Sequence, residues 1–80
     1  MTQVNKKEIK KYFCQVIKIN LDVITIASSP NDTQSWDSLN HLNLIMCFEE
    51  KYGMEFEPEE IIEMYINYGK FESHVLSKFN

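Results

Sequence analysis

Four stretches of the chain carry apolar residues at the three- and four-residue steps of an amphipathic helix. The predicted helices cover about residues 5–19, Ser38 to Tyr52, a short segment starting at Pro58, and about residues 70–79. Gly53 is expected to end the second helix, and Asn67-Tyr68-Gly69 to separate the third from the fourth. We therefore predict an all-α fold, a small four-helix bundle with three longer helices, a short third helix and a long loop between helices 1 and 2. A single domain over residues 1–80 accounts for this length.

The segment between the first two predicted helices is less regular. Leu21 to Ile26 is rich in residues that favour strands, and residues 27–35 are dense in turn formers. Because no second strand is available to pair with residues 21–26, we predict a helix end followed by a loop that packs onto the core.

The second predicted helix has apolar residues on two sides. On a helical wheel one group forms an ordinary core stripe, Leu44, Ile45, Phe48 and Tyr52. The opposite group is Leu39, Leu42 and Met46, flanked by Asn43, Glu49 and Glu50. An exposed recognition patch is predicted for Leu39 and Met46, whereas Leu42 fits either the patch or a helix that packs on both sides. His41 falls on the core side and is predicted to be partly buried and hydrogen-bonded.

Ser38 lies where the second helix is predicted to begin. A serine there commonly caps the helix. The free N–H groups and the helix dipole at such a site also favour an attached phosphate. Both interpretations of Ser38, cap and modification site, are compatible with its position alone.

The charges divide the chain into a basic start and an acidic remainder. Residues 1–18 carry five lysines against Glu8, a net of +4, and residues 19–80 carry three lysines against eleven acids, a net of −8. Because most of the chain is acidic and it has no arginine, binding to nucleic acid is disfavoured and a basic protein partner fits better. Cys14 and Cys47 are predicted to be reduced and partly buried. Because no apolar run is long enough to span a membrane, we expect a cytoplasmic protein. We also expect a monomer.

Trp36-Asp37-Ser38-Leu39 and the helix after it resemble the acyl carrier and peptidyl carrier protein family. Asp37-Ser38-Leu39 is similar to that family's attachment motif. The residues that continue the resemblance are Leu42, Leu44-Ile45-Met46, Glu49-Glu50, Tyr52-Gly53, Phe56 and Glu57-Pro58-Glu59-Glu60. It is specific over about residues 35–65.

The resemblance implies a 4′-phosphopantetheine arm, transferred from coenzyme A to Ser38 by a phosphopantetheinyl transferase. It implies a protein that is not itself an enzyme but carries acyl, aminoacyl or similar cargo as a thioester between loading and accepting enzymes. The implied docking residues are Asp37, Leu39, Leu42, Met46, Glu49 and Glu50, which would meet basic surfaces of those enzymes. Met64 and Tyr65 would line the path of the arm.

The sequence departs from the family pattern near Ser38. Fatty-acid carriers place acids two and five residues after the serine, where this chain has Asn40 and Asn43, and Lys51 interrupts the acidic end of the helix. Together with the Trp-Asp-Ser-Leu-x-His-Leu string, these departures resemble discrete carriers of specialised pathways, whose cargo is an amino acid, a glyceryl unit or a short acyl chain.

Three other functions share residue types or features with the carrier. Asp37, Ser38 and His41 have the side chains of a hydrolase but lack a Gly-x-Ser-x-Gly elbow. Asp32 and Asp37 lack the ligand spacing of a calcium-binding loop, and no metal site is predicted. A helical protein-interaction module without a prosthetic group, a degenerate carrier, would share every feature except the modification of Ser38.

Overall fold

A computed structural model describes residues 4–79, and its ordered elements are all helical. The helices are α1 (Lys6–Ile17), α2 (Ser38–Tyr52), α3 (Pro58–Met64) and α4 (Tyr68–Ser77), and a 3₁₀ turn, Leu21–Val23, follows α1. Within residues 4–79 there is no strand, which confirms the all-helical prediction. The Cα radius of gyration is 11.5 Å, as expected for a compact chain of this size.

Three helices begin at a side-chain cap, which pairs one of the free N–H groups of the first turn. The side chains of Asn5, Asp37 and Asn67 accept hydrogen bonds from the third helical residues of α1, α2 and α4 respectively. Glu57 begins α3 in a capping box, in which its backbone N–H donates to Glu60 Oε1 over 2.9 Å. Gly53 ends α2 in the left-handed conformation, as the sequence predicted.

The limits of α1 and α4 differ from the prediction: α1 is expected to reach about residue 19 and ends at Ile17, and α4 is expected over about residues 70–79 and covers Tyr68–Ser77. Lys18 adopts a left-handed conformation and its N–H bonds Cys14 O, so α1 ends earlier than expected. Helix α4 begins at Tyr68, so Tyr68 and Gly69 belong to its first turn and residues 65–67 separate it from α3. The predicted break at Asn67-Tyr68-Gly69 therefore lies at residues 65–67 instead, because Asn67 caps α4 and Gly69 lies against the loop before α2.

The core is built around aromatic rings. The ring of Phe13 lies 5.0 Å from Trp36, 4.9 Å from Tyr68 and 5.0 Å from Phe71, in each case edge to face. The predicted core residues Leu44, Ile45 and Phe48 of α2 are buried with them. Ile24 is also buried, so the segment after α1 packs onto the core as predicted.

Candidate functional site

Asp37, and not Ser38, caps helix α2. The Asp37 side chain accepts a hydrogen bond from the backbone N–H of Asn40 over 2.8 Å, and its backbone oxygen accepts one from His41 over 2.8 Å. Ser38 is the first helical residue and is exposed. Since a neighbouring residue supplies the cap, the Ser38 hydroxyl lies on the surface with no capping role.

The loop that leads to Ser38 is held by Trp36, which is completely buried. Its indole Nε1–H donates to Nδ1 of His41 over 3.1 Å, and Nε2 of His41 lies 2.8 Å from the backbone oxygen of Ile61 in α3. A tryptophan only donates and a carbonyl only accepts, so His41 is neutral with its proton on Nε2. The network joins the loop, α2 and α3 directly below the Ser38 turn.

His41 is buried and hydrogen-bonded, as predicted from the wheel. Burial lowers its pKa from the ordinary 6.5, and the bond to the Ile61 carbonyl opposes that effect. Because both ring nitrogens already have partners inside the protein, His41 does not act as a base for the Ser38 hydroxyl in this arrangement.

Three apolar side chains project from α2 into solvent after Ser38. Leu39, Leu42 and Met46 are 76%, 54% and 66% exposed, whereas His41, Leu44, Ile45 and Phe48 of the same helix are buried. The two-sided packing that remained open for Leu42 is therefore excluded by its exposure. We refer to Leu39, Leu42 and Met46 as the α2 apolar row.

The acids near the α2 apolar row differ in their structural roles. Glu50 is exposed, but the Oε2 atom of Glu49 accepts a hydrogen bond from the backbone N–H of Phe56 over 3.0 Å and is partly buried. Glu49 thus fastens the turn between α2 and α3. Of the two glutamates predicted to dock partners, only Glu50 is wholly on the surface.

A shallow groove of about 420 Å³ adjoins the end of the α2 apolar row. Met46, Cys47 and Glu50 line it from α2, and Met54 and Glu55 line it from the turn that follows. The groove could not be predicted from the sequence, because its far wall comes from a turn whose path depends on the Glu49 bond to Phe56.

The predicted arm-lining residues of α3 occupy different environments. Met64 is completely buried in the core, so it does not lie on a surface path from Ser38. Tyr65 is partly buried, with its ring 4.7 Å from that of His41. Ile62 and Ile66, near Met64 and Tyr65 in the chain, are 70% and 52% exposed. Of the two predicted residues, Tyr65 alone reaches the surface near the His41 network.

A polar cluster joins α3 to α4 on the surface. His74 Nδ1 lies 3.3 Å from Glu60 Oε2, and His74 Nε2 lies 2.9 Å from Glu63 Oε1. The Lys78 ammonium donates to Glu60 Oε1 over 2.7 Å. That bond, with the Glu57 N–H and His74, lowers the pKa of Glu60 from its ordinary 4.5 to about 2, against a smaller opposing effect of burial.

The two cysteines are not joined to each other. Cys14 is buried in the core and Cys47 is partly exposed at the groove beside α2. Burial raises the pKa of the Cys14 thiol, against a smaller opposing effect of Lys10. Such a thiol is a poor nucleophile and acts as a small apolar core residue.

No family model matches the sequence when it is compared with those of known protein families. Among residues 4–79, no helix combines the length and apolar composition that crossing a bilayer requires. The same residues contain no cluster of three histidine, cysteine or acidic side chains suited to a metal ion.

Proposed function

We propose that the protein is a carrier that bears a 4′-phosphopantetheine arm on Ser38 and delivers acyl, aminoacyl or similar cargo between biosynthetic enzymes. The observation that carries the proposal is the exposed hydroxyl of Ser38, at the first residue of a helix that Asp37 already caps. When attached, the arm supplies a thiol on which the cargo rides as a thioester.

The start of α2 is electrostatically suited to the phosphodiester of such an arm. The aligned peptide dipoles of this fifteen-residue helix place partial positive charge beside Ser38. Asp37 takes up only the N–H of Asn40 with its side chain, so the N–H of Leu39 is left to face the attached phosphate. The chain's own contribution is therefore to orient the hydroxyl and to favour the negative charge that the modification brings.

The α2 apolar row supports the docking part of the proposal. A single apolar stripe is enough for a helix that packs on a core, yet α2 presents a second one in solvent. Asp37 lies before the row and Glu50 after it, and both are exposed. A partner enzyme with an apolar centre and basic rim complements that arrangement.

The packed core favours small cargo. Phe13 stands at the centre of the bundle with three aromatic rings within about 5 Å of its own. Enclosing a long acyl chain would require separating these contacts, which costs free energy in a close-packed interior. We therefore favour an amino acid, a glyceryl unit or a short acyl chain, held outside the core.

The test is the intact mass of the chain after incubation with coenzyme A and a broad-specificity phosphopantetheinyl transferase. Wild type and the control Ser73→Ala, which alters an exposed serine of α4, should each gain one phosphopantetheine. Ser38→Ala should gain none while melting like wild type. Failure of the wild type with several transferases would favour the interaction module without a prosthetic group, and a gain in Ser38→Ala would place the modification elsewhere.

A second variant separates docking from folding. Met46→Glu should leave the melting temperature unchanged because the side chain is exposed, and should raise the transferase KM by about fivefold, the effect of losing roughly 1 kcal/mol of apolar contact. Ile26→Glu, the same change at a side chain of similar exposure outside α2, is the matched control and should leave the KM unchanged. Equal effects of the two variants would contradict docking by the α2 apolar row.

A further inference from the structure

Helix α1 presents lysines on the side that faces away from the core. Lys7 and Lys11 are exposed one turn apart, about 40° from each other around the helix axis. Lys6 and Lys18 are exposed at the two ends of the helix, and Lys10 is partly exposed. Five of the eight lysines of the chain are therefore gathered on one helix and its cap.

Exposed apolar side chains of the loop after α1 lie beside two of these lysines, Lys6 and Lys18. Val23 is 59% exposed and shares a groove of about 400 Å³ with Lys18. Ile26 is 70% exposed and shares another, of about 450 Å³, with Lys6. We refer to the α1 lysines with the loop residues Val23 and Ile26 as the basic-apolar face.

The loop holds its apolar side chains in fixed places. The backbone N–H of Gly69 donates to Ile26 O over 2.9 Å, and that of Tyr68 donates to Ser28 O over 2.7 Å. Ile24, between Val23 and Ile26 in the chain, is completely anchored in the core at 1% exposure. Val23 and Ile26 are therefore held outward on a loop that two backbone bonds and a buried residue secure.

Acidic residues offset much, though not all, of the positive charge of the face. Glu8 lies on α1, Asp22 is in the 3₁₀ turn, and Asp32 and Glu72 line the two grooves. Counted together, the five lysines and these four acids leave the face a net charge of +1, while the remaining charged residues of the chain sum to −5. The charge separation would orient the molecule in the field of a negatively charged surface.

We propose that the basic-apolar face binds the surface of an anionic lipid bilayer, without any segment crossing it. Lysine ammonium groups on long stems reach lipid phosphates while exposed aliphatic side chains enter the interfacial region, which is the pattern of peripheral membrane attachment. A nucleic acid fits less well, because the chain has no arginine. The acids of α2 and α3 would be repelled by the same bilayer, which disfavours an orientation that covers Ser38 and the α2 apolar row.

The experiment is flotation of the full-length, unmodified chain with lipid vesicles. Vesicles with about one third phosphatidylglycerol should bind the chain at about 50 mM salt and release it at about 500 mM. Phosphatidylcholine vesicles should not bind it. The outcome does not depend on the arm at Ser38, so Ser38→Ala should float like wild type.

Paired variants test which charges matter. Lys7→Gln with Lys11→Gln should lower vesicle affinity by about tenfold or more, since each interfacial lysine contributes several-fold. Lys51→Gln with Lys70→Gln, the same loss of charge on α2 and α4, should have a smaller effect. Ile26→Ser should also weaken binding without changing the charge.

Three results would overturn the proposal. These are the absence of binding at low salt, equal losses in the two lysine pairs, and salt-sensitive binding to poly-glutamate without binding to vesicles. The last would assign the face to an acidic protein. Melting curves of all variants establish that any loss of binding is not a loss of folding.

Discussion

Replacing Asp37 by alanine should destabilise the protein more than replacing Ser38. The Asp37 side chain accepts the 2.8 Å hydrogen bond from Asn40 N, and its loss removes the side-chain cap of α2. Loss of such a cap costs about 1 kcal/mol, within a range of about 0.5–2 kcal/mol. For a domain of this size, about 1 kcal/mol corresponds to a fall of about 4–8 °C in melting temperature.

Ser38→Ala should change the melting temperature little. The serine is exposed at the first helical position, and alanine has the higher helix propensity, so the expected change is within about 0.5 kcal/mol. Asp37→Asn retains an acceptor oxygen and should lie between wild type and Asp37→Ala. The comparison distinguishes the loss of the capping bond from the loss of the charge.

The assay is thermal unfolding followed by far-ultraviolet circular dichroism, with urea unfolding as an independent measure. If Ser38→Ala lowers the melting temperature as much as Asp37→Ala, the serine hydroxyl is a cap. The exposure of the hydroxyl would then not indicate a group available for modification.

Three further predictions follow from buried or paired groups. Glu60→Gln should destabilise the fold at neutral pH, because the Glu60 pKa is lowered to about 2 and the ionised carboxylate therefore stabilises the folded state. The difference in unfolding free energy between the variant and wild type should vanish as pH falls from 4.5 towards 2. Urea unfolding across this pH range measures the difference, and a constant value would refute the prediction. Gly69→Ala should lower the melting temperature despite the better helix propensity of alanine. The added Cβ would lie 3.0 Å from Ile26 O, an atom that the Gly69 N–H holds in place. A rise in melting temperature would show that the loop can shift. The lowered pKa of His41 means that the folded state binds fewer protons than the unfolded state, so wild-type stability should fall as pH drops below about 6.5. His41→Gln should remove this part of the pH dependence in the same unfolding series.

The bundle could be predicted from the sequence because helical spacing is a local property. The predicted limits of α2, Ser38 to Tyr52, match the structure, and Pro58 begins α3 as expected. The error at α4 has a tertiary cause: Gly69 is required by the close approach of Ile26 O, and its presence resembles a helix breaker.

The candidate site was only partly predictable, since neighbouring residues of similar chemistry have different roles. Asp37 and Ser38 are both good capping residues, and the burial of Trp36 just before them decides which one caps. Glu49 and Glu50 are both acids on one helix, but only the fold brings Phe56 N within reach of Glu49. The wheel did separate the α2 apolar row from the core stripe, because helix geometry alone determines that division.

The exposure of Ser38 follows from what is buried on either side of it. Trp36 lies two residues before it and His41 three residues after it, and the two side chains bond to each other inside the protein. With both ends of this short segment pointing inward, the chain between them must turn across the surface, and Asp37, Ser38 and Leu39 are all exposed. The bond from His41 to Ile61 O ties the same segment to α3, so the serine is presented on a surface that the core holds rigid. A hydroxyl that is accessible to an enzyme and yet fixed in position relative to the α2 apolar row is the combination that the proposed modification requires.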